Sequence, residues 1–172
     1  MMVLALDLST KNSGWAVYKN QELIAHGCIS ATNSNLYERI HIMCENVEKI
    51  VKKYNISKSI IEDVFPEDVH NNRNVFNALM YLQGFITDVL NTYKIEFKFY
   101  TASEWRKKCG IHTGRGIKRE SLKAQDIKFV QNQFGIKVND DEADAICIGF
   151  AAVGGTIATP QIITDEDGFE FA

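Results

Sequence analysis

The chain has 172 residues, 45% apolar and 24% charged, which suits one folded domain with a substantial core and excludes a disordered or collagen-like chain. No apolar run approaches the roughly 20 residues of a membrane span, so no membrane association is expected. A net charge of −3 and a pI near 5.8 exclude a uniformly basic nucleic-acid binder, so any surface for nucleic acid must be local.

The N-terminus, MMVLALDLS, lacks a basic start and carries an acid inside its apolar stretch, so it does not read as a signal peptide. Residues 3–9 form a short apolar run, followed by a turn at Lys11–Gly14. Residues 14–20 and 22–30 predict two further strands, joined by a hairpin turn at Asn20-Gln21. Apolar residues then recur with a helical period from Leu36 to about Tyr54. A buried strand is expected over 57–64, and a second amphipathic helix over 75–93 with Leu79, Leu82, Phe85, Ile86 and Val89 on its apolar side. Residues 95–101 alternate as a fifth strand, and Ser103 is placed to cap a short helix through Cys109. The basic turn GIHTGRG leads to a helix near 117–134. Asn139 or Asp140 caps a last helix that runs to Gly154-Gly155, and the remaining tail is acidic. Three strands joined by short turns, then alternating helices and strands, predict an α/β fold with a mixed sheet flanked by helices on both faces. The four cysteines are scattered with no CxxC pair, which fits a reducing cytoplasm.

Four acids stand at distinctive places. Asp7 ends the run VLAL, Glu62 ends the run SII, and Asp141 and Asp144 lie three apart at the start of DEADAICIGFAAV. A carboxylate at the end of a buried strand is costly unless its charge is compensated. Carboxylate oxygens suit Mg²⁺ or Mn²⁺. Two such ions about 3.5–4 Å apart can clamp the attacking and leaving oxygens of a phosphodiester. Asp141 and Asp144, at i and i+3, share a helix face, so a last helix packed across the sheet would bring all four acids together. Simpler roles exist: Asp7 as a turn residue, Asp141 as a partner of the helix dipole. Alternation does not choose between Glu62 and its neighbour Asp63.

Segment 106–123 holds Arg106, Lys107, Lys108, Arg115, Lys118, Arg119 and Lys123 against Glu120 alone. Its glycines Gly110, Gly114 and Gly116 favour close backbone approach to phosphate over a merely solvated helix face. Phe65, at a strand exit before Pro66, reads either as core or as a base-stacking aromatic, and Arg73 follows close enough to reach the same DNA. Trp15 and Trp105 read as core residues.

Taken in order, VLALDLSTKNSGWAVY, SIIEDVF and DEADAICIG resemble the RuvC family of Holliday-junction resolvases, within the RNase H-like superfamily. The likeness runs from Val3 to about Gly154 and implies an RNase H-like nuclease domain over residues 1–156, with a five-stranded sheet whose first three strands are antiparallel, and a flexible acidic tail over 157–172. It also implies a homodimeric endonuclease that cuts four-way DNA junctions by paired nicks, with no small-molecule cofactor. Two Mg²⁺ or Mn²⁺ ions would be held by Asp7, Glu62, Asp141 and Asp144, with Asp7 bridging both. Phe65 takes the place of the family's junction-wedging aromatic, and Lys118 the place of a DNA-backbone lysine. Leu8-Ser9 stands where bacterial members usually have Pro-Gly, which points to a divergent, phage-type branch. Two rivals share features with this reading. DLSTKNSG also resembles the phosphate loop of sugar kinases and actin-like proteins, although the chain is short for their two-domain architecture. An RNA-processing nuclease of the same superfamily would share the acids but is usually shorter.

Overall fold

Val3, Leu4, Ala5 and Leu6 are all buried, so β1 (Met2–Asp7) presents apolar side chains to both faces and takes the centre of the sheet. The computed structural model describes residues 1–114 and 116–157; Arg115 and most of the acidic tail lie outside the described residues. β2 (Asn12–Lys19) and β3 (Glu22–Ser30) continue from β1 as an antiparallel meander. Their hairpin turns at Asn20, whose φ of 57° is a left-handed conformation that asparagine tolerates. β4 (Lys58–Glu62) adds parallel to the other side of β1, and β5 (Glu96–Tyr100) adds parallel to β4. The order is β3-β2-β1-β4-β5, a mixed five-stranded sheet of the expected kind.

The pleat of β1 divides the core. Leu4 and Leu6 face α1 (Leu36–Tyr54) and α2 (Arg73–Thr92), together with Met43, Val47, Leu82 and Ile86. Val3 and Ala5 face the opposite layer, built from α3 (Ala102–Lys108), α4 (Arg119–Phe134) and α5 (Asp140–Val153). Helices therefore cover both faces. α5 is the most deeply placed: Ala143 to Ala151 are buried without a break, as expected of a helix apolar on all sides.

Several helix ends differ from the sequence expectation, each for a local reason. α2 begins at Arg73, because the Asn72 side chain accepts from the backbone N–H groups of Asn74 and Val75. Thr101, not Ser103, caps α3, since Glu104 three residues on completes a reciprocal capping box. Asn139, one of the two expected caps, closes α5 in the same manner with Glu142, while Asp140 is ion-paired with Lys123. Phe85 is 52% exposed, although its spacing puts it on the apolar side of α2. Leu8 and Ser9 also find a use: Leu8 is buried in the α1/α2 layer, and the Ser13 hydroxyl donates to the Ser9 carbonyl at 2.6 Å, closing the turn after β1.

Close packing of α5 on the sheet depends on a missing side chain. A Cβ at Gly149 would stand 2.3 Å from the ring of Tyr18, and Tyr18 is fixed by its hydroxyl, which donates to the Ile146 carbonyl at 2.8 Å. Gly149→Val should therefore destabilise the fold by about 3 kcal/mol through overpacking, seen as a lower urea midpoint with an unchanged slope.

Candidate active site

The sheet topology brings strand ends together. β1 and β4 are adjacent and parallel, so Asp7 and Glu62 emerge at the same end of the sheet. Ile60 packs in the α5 layer and Ile61 in the α1/α2 layer. Glu62 thus shares the α5 face with Ile60, whereas the Asp63 carboxylate accepts from the backbone N–H of Val64. α5 crosses the same end of the sheet with Asp141 and Asp144. Its first turn lies hard against β2: a Cβ on Gly14 would sit 1.8 Å from the Asp141 carbonyl oxygen, so only glycine permits this contact.

The four predicted acids consequently act on one another. Asp7 is in hydrogen-bonding contact with Glu62 and feels the charges of Asp144 and Asp141 as well. Burial first, and then these three neighbours, push its pKa well above the ordinary carboxyl range. Asp144 is 8% exposed, and its pKa is likewise raised well above the usual range, first by burial and then by Asp126 and Glu62. Asp141 is half-buried and more moderately raised, by burial and then by Asp140. Glu62 accepts a hydrogen bond from the indole Nε1–H of Trp105 at 3.1 Å.

These donors fit divalent cations by their chemistry, since they are hard oxygen ligands. The Oδ1 atom of Asp144 is buried and, among the described residues, has no hydrogen-bond partner. Such an acceptor is free to take a cation or a water. Among the described residues, no group of three or more His, Cys, Asp or Glu side chains stands close enough together to hold a metal ion.

Three residues at this site carried no clear sequence signal. Asp126 of α4 is fully buried and takes a bidentate pair of hydrogen bonds from Arg106, at 3.2 Å from Nε and 2.9 Å from Nη2 to Oδ2. The same Nη2 lies 3.9 Å from Oδ2 of Asp144. Trp105 is core, as expected, but its indole N–H also reaches Glu62. A lone aspartate within a polar helix gives no sign of facing inward; the capping box that fixes α3 was the only available hint to the orientation of Trp105 and Arg106.

The predicted DNA-contacting residues divide into two groups. Phe65 is 44% exposed just beyond β4, and Arg73, Lys107, Lys118 and Arg119 are exposed. Lys107 also lines a shallow cavity of about 580 Å³ with Ser103, His112 and Thr113. Lys108 and Lys123 are engaged within the protein. Lys108 lies over the Tyr100 ring and donates to its hydroxyl at 3.1 Å, and Lys123 is ion-paired with Asp140. Arg115 lies outside the described residues.

Residues 3–152 match the family described as crossover junction endodeoxyribonuclease RuvC. The chain belongs to the RuvC family. A RuvC of Rickettsia rickettsii is 23% identical over 158 residues, covering 89% of this chain and 97% of the relative. The structure of Thermus thermophilus RuvC in complex with Holliday junction substrate superposes with a TM-score of 0.70 at 11% identity, over 90% of this chain and 93% of that one. The fowlpox virus resolvase in its complex with Holliday junction DNA gives a TM-score of 0.57 at 17% identity, over 89% of this chain and 97% of that one. The RuvC fold is thus shared with proteins of very different sequence.

The raised pKa values have a stability consequence. A carboxyl whose folded pKa exceeds its unfolded value binds more protons when folded, so metal-free stability falls as pH rises from the ordinary carboxyl range through the folded pKa. Metal-free protein should therefore melt lower at pH 8 than at pH 5. Asp7→Asn removes part of that cost and should raise the pH 8 melting temperature in EDTA by at least about 3 °C, with a smaller gain at pH 5. Differential scanning calorimetry in EDTA at both pH values checks this.

Proposed function

We propose that this protein is a divalent-metal-dependent endonuclease that resolves four-way DNA junctions by paired nicks. The observation that carries the reading is the convergence of acids from β1, β4 and α5 on one end of the sheet, within a RuvC-family chain. Asp7, in contact or charge interaction with the other three, is the acid best placed to be shared between two Mg²⁺ or Mn²⁺ ions. Glu62 and Asp144 flank it, and Asp141 completes the set from the mouth of the site. When bound, the two ions lower the pKa of the attacking water and stabilise the leaving 3′ oxygen. The role of the chain is to hold its carboxylates in place against their repulsion and to present the phosphodiester to them.

The exposed cations Arg73, Lys107, Lys118 and Arg119 supply backbone contacts, and the exposed Phe65 offers a ring for an unstacked base near the branch point. Arg115, Lys108 and Lys123 belong to the same basic segment; DNA phosphate would compete with Tyr100 for Lys108 and with Asp140 for Lys123. The four free cysteines suit a reducing compartment such as the cytoplasm, and among the described residues no helix is long and apolar enough to cross a membrane.

Paired nicking of a two-fold symmetric junction is served by a two-fold dimer. α2 supports this, because Val75, Tyr81 and Phe85 are exposed apolar residues on one helix whose other side is already packed.

Two outcomes test these readings. Asp7→Asn should abolish cleavage of a mobile four-way junction in Mg²⁺ or Mn²⁺ while leaving junction binding intact; wild-type cutting by this variant refutes the site, and cutting of structured RNA in preference to four-way DNA refutes the substrate. Phe85→Glu should convert dimer to monomer in multi-angle light scattering while leaving the circular dichroism of the folded chain unchanged, because within one protomer the side chain it replaces lies largely in solvent.

A further inference from the structure

The acids are spaced by a second set of side chains. Asp126 is fully buried on α4 and grips the Arg106 guanidinium through two hydrogen-bonding nitrogens. The guanidinium carbon lies 4.2 Å from the centre of the Trp105 ring, so its plane is fixed by the indole face as well as by the aspartate. From this clamp two groups point into the site. Nη2 of Arg106 lies 3.9 Å from Oδ2 of Asp144, and the Trp105 indole N–H donates to Oε1 of Glu62 at 3.1 Å. Each end thus addresses a different acid, one on α5 and one on β4.

A simple structural brace would not need this arrangement. Burying an aspartate–arginine pair gives little net stability compared with apolar side chains of similar size. A buried indole N–H needs some partner, but a backbone carbonyl would satisfy it without touching the site. Groups that hydrogen-bond to metal-binding carboxylates set their orientation, and losing one commonly weakens metal binding on the order of tenfold to a hundredfold.

We propose that Trp105 and Arg106, anchored by Asp126, are positioning residues that hold Glu62 and Asp144 in facing orientations across the site. Arg106 also serves as a resident counter-cation that keeps Asp144 from swinging away from Asp7 and Glu62 before a metal arrives. The inference rests on the metal reading given under Proposed function.

The test is Mn²⁺ binding by the full chain without DNA, measured from the electron paramagnetic resonance signal of free Mn²⁺, with melting in EDTA as the control for folding. Trp105→Phe removes the indole N–H and keeps an aromatic ring. The double variant Arg106→Gln, Asp126→Asn removes the guanidinium contact to Asp144 while leaving net charge unchanged. Each should raise the half-saturating Mn²⁺ concentration by about tenfold or more, with junction binding in EDTA unaltered. A smaller change in folded variants overturns the proposal, since a brace between α3 and α4 would not move this readout. If the double variant fails to fold, Trp105→Phe alone decides. Wild-type protein that binds no Mn²⁺ overturns the metal reading itself and this inference with it.

Discussion

Repulsion between carboxylates is the constraint that orders this structure. Asp7, Glu62, Asp141 and Asp144 would separate in a flexible chain, yet the fold holds them so that burial first, and neighbouring carboxylates second, raise the pKa values of Asp7 and Asp144 well above the usual range. The force that holds them is the burial of three apolar elements, because β1, β4 and α5 each carry an acid at the end of a segment that has no alternative but the core. The unfavourable charge is confined to a few atoms, while the favourable burial is spread over both core layers. Burial of apolar surface thus offsets the cost of gathering these acids at one end of the sheet.

Much of this was legible from residue patterns. Strand β1 stands out as four consecutive apolar residues, and Asp7 stands out as the charge that ends it. The long period of α1 and the apolar length of α5 were equally plain. What escaped the pattern was orientation about an axis. Glu62 and Asp63 are adjacent on an alternating strand, and only the packing of Ile60 against the α5 layer shows which one faces the site. Asp126 lies in a helix with little apolar bias, so nothing local marks it as fully buried. Trp105 reads as core from its composition, and it is core; that its one polar atom meets Glu62 is a tertiary fact. Ser103 has the residue type of a cap, but Thr101 takes the position because Glu104 stands three residues after it.

Basic residues show the same limit of one-dimensional reading. The cations of segment 106–123 form a run in sequence but take at least three roles in space. Arg106 is internal, Lys108 is engaged with Tyr100 and Lys123 with Asp140, and Lys107, Lys118 and Arg119 remain at the surface. A charge run is thus a poor guide to a binding surface until the helix faces are known. The acidic net charge of the chain does not conflict with DNA binding, because the positive groups gather on α3, on α4 and on the loop between them.

The unbroken burial of α5 from Ala143 to Ala151 couples chemistry to folding in an all-or-none way. One helix supplies the central wall of a core layer and half of the acids, and a glycine of β2 seats its first turn. A molecule that loosens this wall scatters the proposed acids in the same event.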